Sequence, residues 1–171
     1  DYGTQVTCST QQEIARRSGL NASVYQLAAW EPNPLQNLCG RIPVQHFIAS
    51  NLEVGVRYYT HGFPGVVGLN QWFAIVFDGT IYLPESGIYR FSLNSDDGSI
   101  AMIDGITVSN MDGVHHMSKN EGPNIYFSAG YHRLNVRYFQ GPRWEIGLQF
   151  RWKLPCQNAF TVIPNSAYFE E

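Results

Sequence analysis

The sequence predicts an all-β domain, an antiparallel β-sandwich or barrel-like module, and three observations carry that reading. Aromatic residues make up 14% of the chain while charged residues reach only 15%, a balance that suits sheets with wide aromatic pairs better than a helical bundle. From about Leu52 onward apolar residues recur with period two, the spacing of a strand with one buried face. Turn signals rich in Gly, Asp and Pro interrupt that pattern at short intervals, as in sandwiches and barrels. A chain of 171 residues suits one domain with a real core.

The first fifty residues differ from the rest. Thr10-Gln11-Gln12-Glu13 is a T-x-x-E capping box, followed by Ile14, Ala15, two Arg and Gly19, which predicts a short N-terminal helix. The stretch WEPNPLQNLCGRIP carries Pro32, Pro34 and Pro43, which exclude regular helix or central strand there. Residues 1–50 therefore read as an irregular lead-in packing on the domain, and residues 51–171 as the sandwich.

Strands follow. Phe73, Ile75 and Phe77 alternate with Trp72, Ala74 and Val76, an almost continuous apolar run that predicts a strand buried on both faces. Tyr89, Phe91 and Leu93 alternate with Arg90 and Ser92; Leu134, Val136 and Tyr138 with Arg133, Asn135 and Arg137; Leu148, Phe150 and Trp152 with Gln149, Arg151 and Lys153. Each sets an apolar face against a polar one, as antiparallel sheets do. Asp78-Gly79, Pro84 to Gly87, Asp97-Gly98, Asp104-Gly105, Asp112-Gly113, Gly130 and Gly141-Pro142 supply the turns.

Several function classes find no support. The formal net charge is −3, and nine Arg and two Lys are scattered without a basic run, which argues against a nucleic-acid surface. No apolar stretch approaches the roughly 18 residues of a membrane span. No signal-type segment opens the chain, and the numbering is expected to start at a mature or an engineered boundary, with any export signal out of view. Cys8, Cys39 and Cys156 lack zinc spacing; they are either buried thiols or one disulfide with one cysteine left over. No G-x-S-x-G, P-loop or H-E-x-x-H occurs. Glycosidase carboxyls straddle the bond they cut, about 5 Å apart or more, and adjacent Asp96 and Asp97 do not. The expectation is a protein that is not an enzyme. Asn21-Ala22-Ser23 is an N-glycosylation acceptor in a eukaryotic source.

Four Asp-Gly steps occur, and only Asp97 is preceded by another acid, Asp96. Asp-Gly by itself suits a two-residue hairpin turn, so Asp97 needs no further reason, whereas Asp96 does. One reading makes Asp96 an Asx-type turn residue bonded to nearby amides. The other gathers both carboxylates on a calcium ion, which takes six to eight oxygen ligands at flexible angles; both reach one ion only if the backbone between them bends sharply or is cis. Two polar loops accompany them. The loop around Gln140, Arg143, Trp144 and Glu145 offers a ring for stacking on a sugar and oxygens for an ion or hydroxyls, or else a hairpin that covers the barrel mouth. Asp112 and His115, in the 110–124 segment, either contact a ligand or fix the loop.

An ordered series of motifs resembles the PA14 domain family: GFPGV at 62–66, G-x-Y-x-F from Gly87, S-D-D-G-S from Ser95, I-D-G from Ile103, MDGVHH at 111–116 and G-Y-H-x-L-x-V-x-Y-F-Q-G-P from Gly130. The likeness spans about residues 55 to 165. It implies an antiparallel sandwich or barrel-like module of secreted and cell-surface proteins that binds carbohydrate or contacts protein. In lectin members the paired aspartates, here Asp96 and Asp97, are joined by a cis peptide and coordinate a calcium ion that bridges to sugar hydroxyls. Those members draw further ligands from a later loop, often an Asn; the matching loop here, FQGPRWEIG, has none. The resulting expectation is a calcium-dependent, adhesin-like lectin module whose partners are glycans or cell-surface glycoconjugates. The alternative is a metal-independent protein-contacting or structural module of a larger surface protein or enzyme.

Overall fold

A computed structural model describes residues 15–171. The capping box at Thr10 to Glu13 and Cys8 lie outside the described residues. Residues 15–17, the described end of the expected N-terminal helix, are not helical, and Ser18 instead bridges to Phe169.

Thirteen strands form among the described residues: β1 (Leu20–Gln26), β2 (Gln45–Ala49), β3 (Glu53–Tyr58), β4 (Phe73–Leu83), β5 (Gly87–Asp96), β6 (Ser99–Ile103), β7 (Ile106–Met111), β8 (Ser118–Glu121), β9 (Ile125–Phe127), β10 (Gly130–Gln140), β11 (Glu145–Lys153), β12 (Thr161–Val162) and β13 (Tyr168–Phe169). They build two sheets. The first runs β2-β1-β4-β10-β6-β7, with β13 also on β4; the second runs β12-β11-β5-β8, with β3 on β11 and β9 on β5. Every pairing is antiparallel. The arrangement is an open sandwich, not a closed barrel.

The period-two segments fold as their pattern dictates. Tyr89, Phe91 and Leu93 of β5, Leu134, Val136 and Tyr138 of β10, and Leu148, Phe150 and Trp152 of β11 all enter one buried cluster between the sheets. In β4, Phe73, Ile75 and Phe77 face that cluster while Ala74 joins a smaller one with Leu27, Leu35, Leu38 and Phe139 on the other side. This strand is covered on both faces, as its apolar run predicts.

Three local readings need correction. Regular pairing begins well before Leu52, because β1 lies between β2 and β4. Its pattern of Leu20, Ala22 and Val24 inside and Asn21 outside is periodic, but Asn21, Ala22 and Ser23 have little strand preference, and neighbours on both sides decide it. Asp78-Gly79 is no turn; it sits inside β4. A Cβ at Gly79 would collide with the Phe169 carbonyl and Leu20, so the glycine serves close approach of β13.

Asp97-Gly98 is not a hairpin either. β5 and β6 belong to different sheets and do not pair, and Gly98 is not among the glycines with positive φ. The chain crosses there from one sheet to the other. Asp104-Gly105 behaves as expected: it joins β6 to β7, with φ of 51° and 77° at its two residues, the left-handed pair of a tight hairpin.

Candidate functional site

The registers gather several strand ends at one end of the sandwich. Tyr138 pairs with Ser99, Ser99 with Met111, Gln140 with Phe73, Gly147 with Asp96, and Ser95 with Ser118. The β5–β6 crossing, the β7–β8 loop, the β10–β11 loop and the entry to β4 therefore surround a common region.

Asp96 and Asp97 occupy its centre. They are 6% and 3% exposed, and the peptide between them is cis. Buried Tyr138 donates its hydroxyl to the Asp96 carbonyl at 2.6 Å, and Ser95 donates its hydroxyl to the Asp97 carbonyl at 2.7 Å. Asp97 Oδ1 accepts from the His115 N–H at 3.1 Å, and Oδ2 from the Gly141 N–H at 2.8 Å. One carboxylate thus ties the β7–β8 and β10–β11 loops to the crossing. Gly98 completes the junction, because a Cβ there would stand 2.8 Å from the Gly113 nitrogen and collide with the Phe139 ring.

The electrostatics of the pair are unusual. Burial, then the charges of Asp97 and Glu145, pushes the Asp96 carboxyl up to about 7. Burial also raises the Asp97 carboxyl, against the two amide bonds that lower it. Among the described residues no Lys, Arg or His side chain forms an ion pair with either acid. Two buried carboxylates without an ion-pair partner carry a desolvation cost that a protein relieves by taking up a proton, by pairing or by metal coordination.

The remaining sequence candidates are distributed around the pair. Gln140 is fully buried at the end of β10, beside Gly141; its amide donates to the Pro142 carbonyl at 3.2 Å, while its Oε1 is buried without a donor. Glu145 is exposed and acts on Asp96 through its charge. Arg143 and Trp144 are exposed, with the guanidinium 5.7 Å from the indole centroid. Asp112 accepts from the Gly113 N–H at 2.8 Å, which fixes its own loop. Both ring nitrogens of His115 face carbonyl oxygens, of His116 at 2.7 Å and Met111 at 2.6 Å, so its ring serves the loop, while its backbone N–H donates to Asp97 and its charge favours the ionised form of both acids.

The donor set fits a hard divalent cation. Two carboxylates, an undonated buried amide oxygen next to their loop, and backbone carbonyls are all oxygen ligands of the kind calcium prefers. No cluster of three or more His, Cys, Asp or Glu forms among the described residues, so neutral oxygens would have to complete any shell.

A PA14 domain model matches residues 45–166. The chain belongs to the PA14 domain family. No curated protein sequence matches it, but solved structures share its fold. The PA14 domain of the MpAFP antifreeze protein superposes with a TM-score of 0.76 at 18% identity, covering 91% of this chain and 92% of that one. The PA14 sugar-binding domain from an RTX adhesin gives 0.72 at 17% identity, covering 91% and 99%. The A domain of epithelial adhesin 6 from Candida glabrata, in complex with Galβ1-3GlcNAc, gives 0.72 at 9% identity, covering 94% and 90%.

This PA14 domain also has a feature that the sequence reading missed. Trp30, Trp72, Glu31 and Asn33 line a cleft of about 250 Å³ that does not include the paired acids, although Trp72 and Asp97 both border Gly141. The prolines of the lead-in marked it as irregular and hid its aromatic residues. The signal that was available is the pair of tryptophans, one next to an acid and the other at the mouth of the most apolar strand.

Proposed function

We propose that this PA14 domain is a calcium-dependent carbohydrate-binding module of an adhesin-like protein, secreted or displayed at the cell surface. The observation that carries the reading is a pair of adjacent, buried carboxylates with no cationic partner among the described residues. Asp96 and Asp97 would hold the ion, with Gln140 Oε1 as a neutral oxygen donor from the neighbouring strand end. Bound there, calcium would neutralise the two acids and offer open coordination positions to vicinal sugar hydroxyls. The chain's own part is to orient the acids: the amides of His115 and Gly141 fix Asp97, and Tyr138 fixes the backbone of Asp96. The domain binds its glycan without chemical change to it. The sugar-binding domain of an RTX adhesin and the adhesin domain in complex with Galβ1-3GlcNAc share its fold, which supports the ligand class. No helix among the described residues is long and apolar enough to cross a membrane. A shallow chelated site binds weakly alone, so display in several copies is part of the proposal.

The test is thermal unfolding with millimolar calcium and with chelator, beside a glycan array on wild type and Asp97→Asn. Calcium at a hundredfold excess over its dissociation constant adds about 2.7 kcal/mol of stability. A melting temperature indifferent to calcium sinks the metal; glycan binding that survives both chelation and Asp97→Asn moves the sugar site elsewhere.

A further inference from the structure

We infer that Asp112-Gly113 is a site of spontaneous isoaspartate formation, and that this change loosens the loop that delivers an amide to Asp97. The inference concerns the covalent chemistry of the chain and stands whether or not the paired acids hold an ion or a glycan.

Every Asp-Gly step carries the groups for this reaction, because the glycine nitrogen follows a short carboxyl side chain and has no side chain of its own to hinder approach. The ring closes only where the carboxyl is turned onto that nitrogen, so geometry and access of water decide the rate. The four steps of this chain differ in both. Asp78 and Gly79 lie inside β4, opposite Asn135 and Leu134 of β10, and the paired strand holds their backbone extended. Asp97 is 3% exposed, and its two carboxylate oxygens accept from the distant amides of His115 and Gly141. Asp104 is exposed, but its oxygens are taken by the Arg133 N–H and the His132 ring. Asp112 alone of the four turns its carboxyl onto the next residue, where Oδ1 accepts from the Gly113 N–H at 2.8 Å. Its Cγ therefore lies one bond beyond an atom already touching the nitrogen that attacks.

The surroundings leave this step free to react. Residues 112–117 lie outside any strand, between β7 and β8. Gly113 is exposed, and a Cβ placed there would meet no atom within 4 Å, so nothing shields the nitrogen or excludes water. Asp112 forms no ion pair among the described residues that would hold its carboxyl elsewhere.

The step balances with water alone. The Gly113 nitrogen attacks Asp112 Cγ, and the carboxyl hydroxyl leaves with the amide proton as water, closing a five-membered succinimide. Water then reopens the ring. Addition at Cγ restores aspartate, whereas addition at the Asp112 main-chain carbonyl leaves the chain running through Cβ and Cγ, with a new carboxylate beside it. The backbone is then one atom longer between Asp112 and Gly113. The segment around that point is anchored on both sides. Met111 pairs with Ser99, and its carbonyl meets the His115 ring at 2.6 Å, while the His115 N–H donates to Asp97 Oδ1 at 3.1 Å. The added length displaces one of these contacts.

The test is peptide mapping of the folded chain held at neutral pH, with isoaspartate read by electron-transfer fragmentation and succinimide by the loss of one water. The same protein unfolded in denaturant runs beside it. In the folded chain isoaspartate should build up at Asp112 at least about tenfold faster than at Asp78, Asp97 or Asp104; unfolded, the four steps should react at comparable rates. No isoaspartate at Asp112 in the folded chain, or as much at Asp104, overturns the inference. An unfolded chain with the same preference for Asp112 overturns it too, since local sequence and not the fold would then set the rate. Asp112→Glu, which closes no five-membered ring, should stay unchanged on storage. The isomerised fraction, separated by chromatography, should melt about 3 °C below fresh protein, the shift from one lost hydrogen bond in a chain of this size. Equal melting of the two fractions overturns the loosening of the loop.

Discussion

Two Asp-Gly steps, seven residues apart in the chain, do opposite things. Asp104-Gly105 is an exposed hairpin tip, whose acid accepts from the Arg133 N–H at 2.9 Å and contacts the His132 ring at 2.6 Å. Asp97-Gly98 is a buried crossing between sheets, whose acid accepts amide bonds from two other loops. At the tip, glycine is present for its positive φ and meets open space; at the crossing it is present because there is no room for a side chain. The dipeptide specifies tight chain reversal only when the flanking strands pair with each other. Where they join different sheets, the same two residues become the hub of a site.

The largest test of that contrast is steric. Gly98→Ala forces a methyl group into Phe139 and Gly113 and is expected to cost about 3 kcal/mol, while Gly105→Ala costs about 1 kcal/mol through its left-handed φ. Chemical denaturation of both variants measures this; comparable losses would erase the distinction.

A smaller effect sharpens the electrostatic side. Burial and the neighbouring acids hold the Asp96 carboxyl up to about 7, above its ordinary unfolded value near 4. A carboxyl that binds its proton more tightly when folded favours the folded state at low pH. Its contribution is fully present below about pH 4 and is lost as pH rises through about 7. In chelator, the melting temperature of wild type should fall more between pH 5 and pH 8 than that of Asp96→Asn. Parallel pH profiles for the two proteins would show that Asp96 is not the group responsible.

The smallest effect belongs to the hairpin tip. Asp104 is exposed, although the His132 side chain it meets is only 10% exposed. Asp104→Asn keeps both an acceptor for the Arg133 amide and a residue that tolerates the φ of 51°, so it should cost no more than about 1 kcal/mol and leave whatever melting response to calcium the wild type shows unchanged. A loss of the calcium response in that variant would mean the two acidic steps are coupled after all.

Much of the fold was legible because its signal is local. The alternation in β5, β10 and β11 and the apolar run of β4 report directly which faces are buried. The candidate site was legible only as an oddity, one acid too many before a turn. That Asp96 and Asp97 lie buried without a cationic partner among the described residues, that Gln140 Oε1 lacks a donor, and that Trp30 stands beside Trp72 are facts of long-range placement. β1 escaped notice for a related reason: Asn21, Ala22 and Ser23 have little strand preference, and β2 and β4 impose one by pairing on both sides.

By itself the sequence determined the fold class, the main strands and the residues from which a site would be drawn, because side-chain periodicity and turn chemistry act within a few neighbours. Tertiary structure alone decided which sheet each strand joined. It thereby made a hairpin of Asp104-Gly105 and a crossing of Asp97-Gly98, since sheet membership is set by pairing and core packing between segments far apart in the chain.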